Sequence, residues 1–371
     1  MLTRWYPTSE QPGHGTFVRD WARLAARTAD ATVLHLAPGG PGRLGWDRGF
    51  SGADVTVYRL PIAWRGARAP GSHLRDLRAA AGAIAQLHGE DPFDLIHAHT
   101  YTAATAARLG ASNCGVPYVV TEHFSRLLGG NARWYHRLEA RYALRGAAAV
   151  TAVGPALAIA VEQLTRRPAT VMPNPVPDEF SVVAPPGDGP PFRMVSFGRL
   201  EHIKGFDVGL EALTKVVPRL DLTWMIAGDG SERETLQSHA RNLGLAERVQ
   251  FLGAVPRAEV HRLMGSSHII LVPSRLETFS VVAAEALMTG RPVVGTRCGG
   301  PEGFVGEEQG RLVDVEDPAA LAEAIEDVLS GLDRFPAEQV ASRARSAFSE
   351  DAVAAQLGRV YEHALTSHGQ R

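Results

Sequence analysis

Residues Glu277 to Gly295 read ETFSVVAAEALMTGRPVVG. The run SVVAAEALMT inside this stretch is apolar on almost every face, and Gly290 and a β-branched segment, RPVVGT, follow it. This pattern predicts a buried helix with Ser280 as N-cap, stopped by a C′ glycine and followed by a core strand. Glu277 then lies in the turn ahead of the helix, and Glu285 about two turns inside it. A helix start carries unpaired N–H groups and positive dipole character, which suit a diphosphate. Carboxylates to either side accept hydrogen bonds from sugar hydroxyls, so the spacing fits a nucleotide sugar. Two glutamates so placed also arise by chance, and the pair alone leaves both readings open.

Outward from this stretch, the alternation of strand and helix continues in both directions. FRMVSFG, LTWMIAGDG, VQFLGAV, IILVPS and PVVGT alternate with helical segments in the second half of the chain. TVLHLAP, DLIHAHT, PYVVTEH and AAVTAVG do so in the first, with GTFVRDWARLAART and SHLRDLRAAAGAIAQLHG as helices. Short strands separated by helices imply an α/β fold with a doubly wound parallel sheet in each half. The two halves meet at Pro173 to Pro191, where seven prolines and two glycines exclude a regular element. The expected organisation is a first domain over 1–172, a linker over 173–191 and a second domain over 192–348. Ligands of such sheets bind at the carboxyl ends of the strands, and two domains facing each other make a cleft.

Composition is ordinary for a soluble globular chain: 371 residues, 45% hydrophobic and 21% charged. The net charge of −2 is unevenly spread. Through Pro175 there are 19 arginines, no lysine and 12 acids, a balance of +7, and the remainder carries −9. Cys114 and Cys298 form no CxxC or CxxH pattern, which fits a reduced, cytoplasmic chain and argues against a cysteine-built zinc site. No signal peptide is apparent in MLTRWYPTSEQPGHG. The most apolar run, Ala147 to Val161, is too short for a span and is broken by Gly154-Pro155.

The strand-end loops carry the chemistry. SFGRLEHIKGFD places Arg199 and Lys204 after Gly198. An arginine fork and a lysine point charge together neutralise a diphosphate, although two solvated bases on a loop are the plainer reading. AGDGSE brings Gly228 to the next strand end, and VGTRCGGPEG supplies a further glycine turn. Four such features at strand ends of one half point to one site.

GRLEHIKGFD, PSRLETFSVVAAEALMTGRPVV, CGGPEGFV and GRLVDVEDPAALAEAIEDVL strongly resemble the donor half of family 4 glycosyltransferases, which have the GT-B fold. Their E-x7-E falls on Glu277 and Glu285. RWYPTSEQPGHGTFVRDWARLAA resembles the family's acceptor-side glycine loop, and FSEDAVAAQLGRVYEHAL its closing helix, about 350–366, which packs back on the first domain. The resemblance implies a hexosyltransferase that retains anomeric configuration and draws on a UDP-sugar or, second, a GDP-sugar. It needs no cofactor, no metal and no nucleic acid.

By this resemblance Arg199 and Lys204 bind the donor diphosphate, Glu285 the ribose and Glu277 the donor sugar. Backbone amides of Thr278, Phe279, Ser280 and Val281 complete the cradle. His123, in VVTEHF, matches a histidine that in relatives lies beside the donor sugar across the cleft. Gly13, Gly15 and Thr16 belong to the acceptor-side loop. Many relatives carry glycine where this chain has Ser280. A nucleotide-sugar 2-epimerase of the same fold and a non-catalytic sugar-nucleotide sensor are the alternatives.

His97 and His99 in IHAHT can be read as a metal pair or as ordinary packing. Asp314 to Asp317, DVED, reads as a surface turn and N-cap. The helix over SHLRDLRAAAGAIAQLHG offers mainly alanine, without the aromatic anchors of an interfacial helix. The expected acceptor is therefore small or water-soluble, with lipid-linked or polysaccharide acceptors as lesser alternatives and no transmembrane segment.

Overall fold

A computed structural model describes residues 1–11, 13–39, 45–46, 55–62, 72–128, 132–187 and 189–370. It divides into two compact units, one of residues 1–175 with 350–371, the other of 176–349.

Among its described residues the first unit holds eight strands: β1 (Leu2–Thr3), β2 (Thr32–Pro38), β3 (Gly45–Trp46), β4 (Thr56–Ile62), β5 (Ile96–His99), β6 (Tyr118–Glu122), β7 (Ala149–Ala152) and β8 (Thr170–Val171). Their order is β3-β4-β2-β1-β5-β6-β7-β8, and every pairing is parallel except that of β3 with β4. The helices are α1 (Thr16–Ala26), α2 (Ser72–Glu90), α3 (Tyr101–Cys114), α4 (Trp134–Arg145) and α5 (Pro155–Thr165). Strand β4 escapes a reading by alternation because Arg59 and Pro61 interrupt it; Arg59 is held by His35 and by the Pro7 carbonyl.

The second unit contains β9 (Phe192–Phe197), β10 (Leu222–Ala227), β11 (Val249–Gly253), β12 (Ile269–Val272), β13 (Val293–Thr296) and β14 (Gly310–Val313). All pair in parallel, in the order β11-β10-β9-β12-β13-β14. Its helices are α6 (Phe206–Val216), α7 (Arg233–Asn242), α8 (Arg257–Gly265), α9 (Val281–Met288), α10 (Pro318–Leu329) and α11 (Ala337–Phe348). Asp317 caps α10, its carboxylate accepting from the amides of Ala319 at 3.1 Å and Ala320 at 2.9 Å, which is the role read from DVED.

Helix α9 ends as its sequence requires. Gly290 has φ +78, its N–H donates to Leu287 O at 2.9 Å, and that of Arg291 donates to Ala286 O at 2.9 Å, a Schellman closure. A Cβ on Gly290 would lie 2.8 Å from that of Ala337. The buried Arg291 guanidinium donates to the carbonyls of Val183, Ala184 and Gly265. It thereby fastens part of the proline-rich segment to the second unit, and its pKa falls to about 10 through burial.

The last helix, α12 (Glu350–Gly369), belongs to the first unit. Its Val353 and Leu357 pack with Trp21, Leu24, Ala25 and Met172. Arg27 pairs with Glu350 at 3.3 Å and with Asp351.

Candidate active site

The second unit's sheet reverses direction between β9 and β12. The chain runs outward from β9 through β10 to β11, then returns beside β9 to begin β12. Such a switch point opens a crevice outside the carboxyl ends of the strands. The loops that follow β9 and β12 meet there. Gly205 has φ +63, and a Cβ on it would stand 2.0 Å from the Pro273 carbonyl oxygen. Gly228, with φ +146, approaches the Gly198 carbonyl so closely that its Cβ would lie 1.8 Å from the oxygen. Only glycine lets these backbones stack.

This approach brings Lys204 to Glu277: Nζ donates to Oε1 at 2.7 Å, and both side chains are largely buried. Ser274 Oγ donates to the same oxygen at 2.9 Å, and the Glu277 amide donates to Cys298 O at 3.0 Å. Arg275 fixes the turn: its amide donates to Ile203 O, and its guanidinium binds Asp207 at 2.7 Å and Glu316. Those carboxylates hold its pKa above the ordinary value. Arg199 behaves differently. Its side chain is 75% exposed and pairs with Glu201 at 2.7 Å, so it is not joined to Lys204 here.

Helix α9 starts beside Glu277. Its first ladder bond runs from Ala284 N–H to Ser280 O at 3.2 Å, so the amides before it take no part in the ladder. Ser280 holds the N-cap position but does not cap with its side chain. A capping serine works from an extended backbone. Ser280 instead has φ +72 and ψ +80, and among the described residues its buried hydroxyl has no hydrogen-bond partner. Left-handed φ is a position that favours glycine. Phe279 is core, packed against Phe304 and Phe348 at ring distances of 5.2 and 5.4 Å.

Glu285 points into the unit, 4% exposed, and pairs with Arg257 Nη2 at 2.8 Å. Arg257 also donates to Glu179 at 3.0 Å and lies over the Phe180 ring. The sequence reading missed Arg257. Its signal was position: it opens α8, just past the carboxyl end of β11. Removing it would leave a buried carboxylate without its counter-charge, a strongly destabilising change.

In the first unit the carboxyl ends of β5 and β6 gather His97, His99 and His123. His99 Nδ1 and His123 Nε2 are 2.9 Å apart. His97 commits both ring nitrogens, Nδ1 to Tyr361 at 2.8 Å and Nε2 to Thr121 at 2.7 Å, which takes it out of a metal pair with His99. Among the described residues no three His, Cys, Asp or Glu side chains are grouped to hold a metal ion. Burial pushes His97 and His123 down to about 3 and His99 well below its usual value. Glu122, unseen from sequence beside His123, is fully buried and accepts from the amides of Tyr101, His123 and Phe124 at 2.8 to 3.0 Å. Burial lifts its pKa to about 7 against the pull of those amides. Thr100, between His99 and Tyr101, has φ +73, a strained conformation for a β-branched residue.

Gly15, with φ +73, caps α1; a Cβ there would lie 2.5 Å from the Trp5 carbonyl carbon. Thr16 is the first residue of that helix, and Gly13 is open to a side chain.

Two family descriptions match the chain: "Glycosyl transferases group 1" over residues 182–346 and "Glycosyl transferase 4-like domain" over residues 13–176. The 2-deoxystreptamine N-acetyl-D-glucosaminyltransferase of Streptomyces fradiae is 31% identical over 84% of this chain and 82% of its own length. The 2-deoxystreptamine glucosyltransferase of Streptomyces kanamyceticus is 30% identical over 68% and 72%. A D-inositol 3-phosphate glycosyltransferase of Corynebacterium urealyticum is 35% identical over 46% of this chain, and the match spans only 42% of that relative. Among solved structures, sucrose-phosphate synthase from Thermosynechococcus elongatus superposes with a TM-score of 0.80 at 19% identity, covering 95% of this chain and 94% of that one. HepE of Anabaena, solved with UDP-glucose, gives 0.77 at 22% identity, covering 97% and 98%.

Proposed function

Because the chain belongs to the family 4 glycosyltransferases, we propose that it moves a hexosyl group from a UDP-sugar to an acceptor hydroxyl, with retained configuration and without a metal ion. The observation that carries this reading is the Lys204–Glu277 pair at the switch point, beside the free amides of α9. Lys204 and the exposed guanidinium of Arg199 take the diphosphate, and the amides of Thr278 to Val281 take its remaining oxygens. Glu277 holds hydroxyls of the sugar and Glu285 those of the ribose. A carboxylate already paired with a cation, as each of these is, is oriented before the ligand arrives. His123 keeps the place beside the donor sugar, and the Gly13–Gly15–Thr16 loop the acceptor-side role, that the family likeness gives them.

The diphosphate leaves, the acceptor hydroxyl attacks from the same face, and the departing diphosphate oxygen takes its proton. No protein nucleophile is required. The charge that grows on the leaving group is met by fixed cations and amides. UDP is preferred over GDP because HepE was solved with UDP-glucose, and the names of the Streptomyces and Corynebacterium relatives point to polyhydroxylated rings as acceptors.

Screening nucleotide sugars for thermal stabilisation, followed by assay of released nucleoside diphosphate, tests the reading. A UDP-sugar should stabilise the chain, release should depend on added acceptor, and activity should survive excess EDTA. Activity lost to EDTA and restored by magnesium or manganese would overturn the metal-free part. Glu285→Ala should weaken nucleoside diphosphate binding by about 10- to 100-fold, the worth of charge-assisted ribose hydrogen bonds. Unchanged affinity in that variant would remove Glu285 from the ribose.

A further inference from the structure

Helix α4 buries Ala140, Ala143 and Leu144 and turns a two-ridged face outward. Trp134, Leu138 and Tyr142, four residues apart, are 73%, 57% and 46% exposed. Arg133, Arg137, Arg141 and Arg145, also four apart, form the neighbouring ridge, and all are exposed. At 1.5 Å per residue the basic ridge runs about 18 Å. Between Phe124 and Gly146 there are five arginines and a single acid, Glu139.

We propose that this face docks the first unit on an anionic phospholipid surface. Trp, Leu and Tyr in line suit the boundary between headgroups and acyl chains, and the arginines beside them suit lipid phosphates. A second copy of the chain would set arginine ridge against arginine ridge. A soluble polyanion would use the arginines and leave Trp134 and Leu138 in water. The face also adjoins the first unit's site residues. His136, in the first turn of α4, bonds Arg126 at 2.8 Å and Tyr101 at 3.3 Å, and Arg126 lies over Phe124, the residue after His123. Helix α2 offers mainly alanine, whereas α4 supplies both the aromatic and the basic ridge.

The test is co-sedimentation with phosphatidylcholine vesicles with and without phosphatidylglycerol, at about 0.15 M salt. The protein should pellet only with the anionic vesicles, and the Trp134 emission, isolated by difference against Trp134→Phe, should shift to the blue. Arg137→Ala with Arg141→Ala, and separately Trp134→Ala with Leu138→Ala, should each lower the partition coefficient by about 10-fold or more. Stabilisation by nucleotide sugar should be unchanged in these variants, which separates docking from the donor reading. Equal binding to neutral vesicles, no binding to either, or variants that bind like the wild type would overturn the proposal. So would burial of Trp134 by self-association or by an acidic protein without lipid.

Discussion

Lys204→Ala is expected to lower turnover by about 100-fold or more while leaving the second unit folded. Two properties make this the most informative position in the donor half. Its Nζ lies 2.7 Å from Glu277 at the switch point, so its charge is fixed where a diphosphate would bind. A point charge held in place serves a leaving group whose negative charge increases as the glycosidic bond breaks, and it does so without reorganisation. The fold should tolerate the loss, because Glu277 keeps its bond from Ser274 and its backbone bond to Cys298. Arg199→Ala should act in the same direction, by about 100-fold. Its present partner, Glu201, is an exposed ion pair of the kind worth little, so releasing the guanidinium toward a ligand costs almost nothing. Single-turnover rates with saturating donor separate the effect on chemistry from that on binding. Wild-type rates in both variants would remove the two cations from the mechanism.

Much of the donor half was legible because its chemistry is local in sequence. Glycines at strand ends, a glutamate just before a helix and another just over one turn inside it are read from spacing alone, and the structure joins Lys204 to Glu277 across the two loops. What spacing does not carry is the partner at long range. Arg257 reaches Glu285 from α8, and Glu179 reaches Arg257 from the proline-rich segment, so this chain of charges is assembled only by the fold. Ser280 is a different case. Its residue type reads as a cap, and only the backbone angle reveals that its hydroxyl does not cap the helix. The helix α4 face escaped for a simpler reason: Trp, Leu and Tyr at four-residue spacing read as a buried stripe until exposure is known.

Acidification should destabilise the first unit. His97 and His123 have pKa values near 3 in the fold, against about 6.5 in an unfolded chain, because burial disfavours the imidazolium. A depressed pKa contributes stability that is present above the unfolded value and is lost as pH falls toward the folded one. Between pH 7 and pH 4.5 each of the two histidines therefore withdraws stability, on the order of 2 kcal/mol. Glu122 opposes them. Its folded pKa is raised to about 7, so its contribution is complete below the unfolded value and lost as pH rises through 7. Over the same interval it returns an amount comparable to that of one histidine, so the pair outweighs it, and the buried His99 adds in the same direction as the pair. The histidines win because they outnumber the acid at this end of the sheet. Calorimetry at pH 7 and 4.5 should show the transition of the first unit moving to lower temperature, and the His97→Gln variant should have a shallower dependence on pH. A first unit equally stable at both values would mean that the cluster accepts protons without opening.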